Sequence, residues 1–104
     1  MPANRLEILR NLVQQNPGDS RTRYMLAMEL ANSGELESAV AEYRAIIEAD
    51  PGYIPSYFHC GQALARLGRI EEAREVYRQG IAACDRAGDS HTRQEIEEAL
   101  AALE

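Results

Sequence analysis

Apolar residues recur along this chain at spacings of three and four, the period of a helix with one buried face. From Asn4 to Gln15 the apolar positions are Leu6, Leu9, Leu12 and Val13, and Asn16-Pro17-Gly18 follows as a stop, with Gly18 suited to a left-handed turn. A second helix is expected from Asp19 or Ser20, either able to cap it, to about Ser33. Its core stripe is Leu26, Ala27, Leu30 and Ala31. Gly34 ends it, and a third helix follows from Leu36 to Ala49, closed by Asp50-Pro51-Gly52. A fourth runs from about Tyr53 to Leu67 with Pro55 in its first turn, where a missing N–H costs nothing. After Gly68 a fifth spans Ile70 to Arg86, with Gly88 as its left-handed cap. The last covers Asp89 to Leu103, with Ile96, Ala99, Leu100 and Leu103 on one face; Thr92 and Glu95, spaced as a capping box, offer a later start.

The pattern also repeats. Asn32–Pro51 laid over Arg66–Asp85 matches at Gly34/Gly68, Glu37/Glu71, Ala39/Ala73, Tyr43/Tyr77, Arg44/Arg78, Ile47/Ile81 and Ala49/Ala83, a constant offset of 34. A fixed period in this range marks a helical repeat array, in which stacked copies bury a continuous core. The opening helix falls on the second half of that unit: Leu6 on Val40, Leu9 on Tyr43, Val13 on Ile47, Pro17 on Pro51. The chain therefore reads as a half repeat (4–15), two full repeats (20–53 and 54–87) and a capping helix (89–103) within a single domain, 1–104.

Small residues at Ala27/Gly61 and Ala39/Ala73 let facing helices approach, and Tyr43/Tyr77 with Leu30/Leu64 fill the space around them. With the turn glycines Gly34 and Gly68 and the terminal Pro51, this pattern resembles the tetratricopeptide repeat family. There are departures. Arg23 and Tyr57 stand where the family often has tryptophan, Gly80 replaces a small alanine and weakens its helix by up to ~1 kcal/mol, and Asp85 stands where a proline would recur. The resemblance implies an all-α, short right-handed solenoid of antiparallel helix pairs, whose first helices line a concave groove.

On that inner face, helical phase places Arg21, Tyr24, Met25, Met28, Ala31 and Asn32 from the first repeat. The second contributes Phe58, His59, Gln62, Ala65 and Arg66. Aromatic and methionine side chains left over beside a satisfied core suit partner binding. Relatives that grip a terminal carboxylate use lysine and asparagine on successive inner faces. This chain has no lysine and offers instead an apolar strip, Tyr24–Met28–Phe58, edged by Arg21 and Arg66.

Composition narrows the function. Of 104 residues 45% are hydrophobic, and the net charge is −6, with 11 scattered arginines against 17 acids, which argues against nucleic acid. No apolar run approaches the ~20 residues a bilayer span needs, and MPANRLEILRNL lacks the continuous apolar core of a signal peptide. Cytoplasmic residence is expected, with Cys60 and Cys84 as reduced thiols. His59 and Cys60 are adjacent on one helix and point about 100° apart, so neither a metal site nor a Cys–His nucleophile is expected. The reading is a non-catalytic module, without cofactor or metal, that binds a peptide or helix of another protein in its groove. The alternative is a self-associating scaffold unit, a weak homodimer formed through the terminal helices, with Leu6, Leu9 and Val13 exposed on the unpaired opening helix.

Overall fold

The computed structural model describes residues 4–103, so residues 1–3 and 104 of the expected domain lie outside them. Six helices follow one another: α1 (Arg5–Gln15), α2 (Ser20–Asn32), α3 (Leu36–Ala49), α4 (Pro55–Arg66), α5 (Ile70–Ala87) and α6 (Ser90–Ala101). Each packs against its neighbours in sequence, and α2 also meets α4. The result is an all-α helical-repeat solenoid measuring 45 × 28 × 19 Å.

Local chemistry sets the boundaries. The Asn4 carboxamide accepts the Glu7 N–H at 2.8 Å, Asp19 accepts from the N–H groups of Arg21 and Thr22, and Asp89 accepts from Thr92 N–H at 3.0 Å. Asp89, rather than Thr92, is thus the cap of α6. Gly34, Gly68 and Gly88 close α2, α4 and α5 in left-handed backbone (φ 84°, 78° and 71°). One residue beyond each glycine an N–H reaches back five positions: Glu35 to Leu30, Arg69 to Leu64, Asp89 to Cys84. Gly18, by contrast, is not left-handed. At both prolines the preceding residue leaves helical backbone instead (Asn16 φ −144°, ψ 74°; Asp50 φ −143°, ψ 71°). With Asp85 in place of a proline, α5 runs to 18 residues where α3 has 14.

Arg23 and Tyr57, different residues 34 apart, do the same work. The Arg23 guanidinium donates to the Pro17 carbonyl at 3.2 Å, and the Tyr57 hydroxyl donates to the Pro51 carbonyl at 2.6 Å. Each pins its helix to the preceding turn. Arg23 also pairs with Glu42 across the repeat at 2.6 Å.

The core is one continuous cluster from Leu9 and Val13, through Leu26, Leu30, Tyr43 and Leu64, to Val76, Tyr77 and Ile96. Two glycines lie inside it. A Cβ on Gly61 would sit 2.2 Å from the Tyr77 ring, and one on Gly80 would meet Tyr57 at 2.7 Å and Ile96 at 3.0 Å. Gly80 is therefore the point where α4, α5 and α6 close on one another, not merely a weak helix position.

The opening helix corrects the expectation drawn for it. Leu9 and Val13 are buried and Leu6 is half-buried, so they are not the face left open. The exposed apolar side chains are Ile8 (48% exposed) and Leu12 (43%), although Leu12 was expected inside. By the 34-residue offset they match Glu42 and Ile46 on α3, and Glu42 faces α2, the first helix of its own repeat. Ile8 and Leu12 thus sit where a preceding first helix would lie.

Candidate functional site

Helices α2, α4 and α6 share one face of the solenoid, and cavities open along it. The first, about 150 Å³, lies between α2 and α4 and is lined by Met28, Ala31, Asn32, Tyr43, His59, Gln62, Ala63 and Arg66. The second, about 480 Å³, lies between α4 and the end of α6, lined by Gln62, Ala65, Arg66, Tyr77, Ala99, Ala102 and Leu103. A third, about 210 Å³, sits at the other end of the α4–α6 seam, between Pro55, Phe58 and His59 on one side and Thr92 and Glu95 on the other. Gln62 and Arg66 border the first two, and His59 stands between the first and third.

Ala31 lines the first cavity and Ala65 the second, and the other nine side chains expected in the groove fall into three groups. Met28, Asn32, His59, Gln62 and Arg66 converge on the first cavity. Phe58 joins His59 at the third. Arg21, Tyr24 and Met25 stand outside all three; Arg21 is exposed, while Tyr24 and Met25 are half-buried against the core. The expected strip Tyr24–Met28–Phe58 is interrupted by His59. The imidazole makes an edge contact with Tyr24 (ring centroids 5.6 Å apart) and another with Phe58 (5.4 Å), and stacks on Tyr43 at 6.2 Å and 20°. Tyr24 also rests against Tyr53 at 5.5 Å.

Burial sets the charges on this face. It strips water from the His59 imidazolium and pushes its pKa below the ordinary value, with Gln62 acting the other way, so the ring is neutral at pH 7. Arg66 is then the cation bordering the first two cavities. Burial also raises Cys60 to about 11, so its thiol stays protonated and unreactive near neutrality. Tyr43, on the floor of the first cavity, is likewise pushed up by burial.

Two sets of lining residues were not singled out from sequence. Tyr43 and Tyr77 were read as core alone, yet their rings also floor the first and second cavities. Thr92, Glu95, Ala99, Ala102 and Leu103 belong to an element read only as a cap. The signal for them was the alternation of the chain: a helix following a second helix of a repeat occupies a first-helix place. The Arg74 guanidinium donates to the Leu103 carbonyl at 2.9 Å and holds this last turn against α5.

Comparison with known proteins agrees with the helical-repeat fold. Residues 30–84, more than half of the chain, match the tetratricopeptide repeat family. The chain belongs to that family. An uncharacterized protein of Methanocaldococcus jannaschii is 39% identical over 59 residues, 57% of this chain and 69% of its own. A tetratricopeptide repeat domain protein from Salinibacter ruber, solved by NMR, is 32% identical with a TM-score of 0.80, covering 86% of this chain and 90% of its own. The TPR2B domain of yeast Sti1, solved as a complex with pHsp70, shares the fold at 18% identity, with a TM-score of 0.88 over 94% of this chain and 78% of its own.

Proposed function

We propose that this tetratricopeptide repeat domain is a non-catalytic interaction module of the cytoplasm, organised as repeats 20–53 and 54–87, that binds a peptide or helix of another protein along the α2–α4–α6 face. The observation that carries this reading is the row of cavities on that face, bordered by half-buried aromatic and methionine side chains and the exposed Arg66. The fold relative from Sti1 was solved with a protein ligand, which supports the class of partner but not its identity. Arg21, Tyr24, Met25, Met28, Asn32, Phe58, His59, Gln62 and Arg66 are the proposed contact set. The footprint is smaller than the ~1,200 Å² of standard interfaces, so affinity is expected to be micromolar or weaker. Phe58→Ala should weaken binding more than Arg66→Ala, because an aromatic anchor outweighs an exposed charge. Calorimetry with a captured partner tests the order; equal effects, or none, would remove the groove from the account.

A second reading rests on Ile8 and Leu12, the large apolar side chains that α1 leaves exposed. A second copy covering them would make a weak homodimer. Sedimentation of the wild type and of Ile8→Ser/Leu12→Ser decides this, since a wild-type monomer at all concentrations excludes it.

A further inference from the structure

We infer that the seam between α4 and α6 is a two-part site of fixed polarity. Its occupant is an extended peptide in which a basic side chain stands about three to four residues away from a large apolar side chain beside an acid. This rests on the groove-binding reading above and specifies its ligand.

The two helices run side by side in the same direction. Phe58 of α4 faces the same cavity as Thr92 and Glu95 of α6, and seven to eight residues later Ala65 and Arg66 share a cavity with Ala99, Ala102 and Leu103. The ends differ in chemistry. At the first, the Phe58 ring and Pro55 form an apolar wall opposite the Glu95 carboxylate. An aromatic face with a carboxylate across from it suits a guanidinium or ammonium, and repels an acid. His59 beside it is neutral near pH 7 and adds no competing charge. Among the described residues Glu95 pairs only with the exposed His91, at 3.5 Å, so its charge is open to a ligand.

At the other end the larger cavity, about 480 Å³, has Tyr77 as its floor and Ala65, Ala99 and Leu103 around it. That volume holds a leucine- or phenylalanine-sized side chain. Arg66 and Gln62 stand on its rim and can meet a carboxylate on the neighbouring ligand residue. Eight residues of helix separate the two ends by about 12 Å, and an extended chain covers about 3.3 Å per residue, which sets the spacing. The opposite signs at the two ends fix the direction in which a peptide lies.

A random dodecapeptide display library panned on the intact domain tests this, alongside Glu95→Arg and Arg66→Glu. Both residues are exposed, so the reversals leave the core untouched, and thermal melts verify it. Wild type is expected to enrich peptides with arginine or lysine three to four positions from an apolar–acidic pair. Glu95→Arg should weaken those peptides by about five- to tenfold and select acids in place of the base; Arg66→Glu should select bases in place of the acid. If selected peptides shift groove amides but the charge preference does not follow the reversals, the polarity is wrong while groove binding stands. If no peptide is enriched, or the shifts fall outside α2, α4 and α6, both fall. If the domain sediments as a dimer that Glu95→Arg dissociates, the seam holds a second copy and the peptide assignment is overturned.

Discussion

Gly61→Ala pits helix propensity against packing. Propensity alone favours the alanine by about 1 kcal/mol, since glycine loses more backbone freedom in a helix. Packing opposes it. The new Cβ would lie 2.2, 2.5 and 2.6 Å from three atoms of the Tyr77 ring, so the ring must retreat by more than an ångström to regain ordinary contact. Tyr77 is 2% exposed and packs against Phe58, with centroids 6.5 Å apart; its one relief is the neighbouring cavity that it floors. Overpacking of this kind costs about 1–3 kcal/mol, here toward the upper end. The net expectation is a loss of about 1–2 kcal/mol, or roughly 5–15 °C in melting temperature for a domain of this size. Ala27 occupies the same repeat position with its Cβ accommodated, so Ala27→Gly should also destabilise, by about 1 kcal/mol or more. Opposite substitutions at equivalent sites would then share a sign. Thermal melts of both, and of Gly61→Ala with and without Tyr77→Leu, check the origin. The smaller side chain should recover at least about 1 kcal/mol of the penalty. A Gly61→Ala protein that melts higher than wild type would refute the close approach of α4 and α5.

Ala39 and Ala73 are fully buried, so Ala39→Leu and Ala73→Leu should each cost about 1–3 kcal/mol in denaturant unfolding; unchanged midpoints would contradict the helix register. Removing residues after Gly88 deletes the buried Ile96 and uncovers α5, so aggregation or loss of a cooperative melt is expected. A soluble truncation that melts as before would make α6 an appendage. His59 gives a pH dependence. Its folded pKa lies below the unfolded value of about 6.5, so its contribution is complete above pH ~6.5 and is lost as pH falls through the depressed folded value. Stability of His59→Gln should therefore decline less steeply than wild type from pH 7 to 5, and parallel curves would exclude the effect.

Much of the fold was legible because period and punctuation carried it. Leu36–Ala49 falls where the spacing and the Asp50-Pro51-Gly52 stop place it, Gly34 and Gly68 end their helices as expected, and Gly88 takes the left-handed turn expected of it. Other features depend on three-dimensional neighbours. Leu12 has the right helical phase for burial, yet it is left 43% exposed among the described residues. Gly80 reads as a propensity defect until Tyr57 and Ile96 are seen to close on it. Arg23 and Tyr57 depart from the family's usual residue in different ways, and only the shared proline carbonyl shows their common role. On the α2–α4 face, residue phase grouped Arg21, Tyr24 and Met25 with the side chains that line the cavities, and it did not show that His59 rather than Phe58 meets Tyr24. The α6 wall was missed because a polar-faced terminal helix reads as a cap, whichever second surface it offers.

The central claim is that the α2–α4–α6 face binds a protein segment. The most direct measurement is amide and methyl shift mapping of the intact domain, titrated with a display-selected peptide or a segment of a captured partner. Shifts should concentrate on Met28, Phe58, Gln62, Arg66 and Ala99, with Phe58→Ala abolishing most of them. Shifts centred instead on Glu48 and Arg78, exposed on α3 and α5, would contradict it.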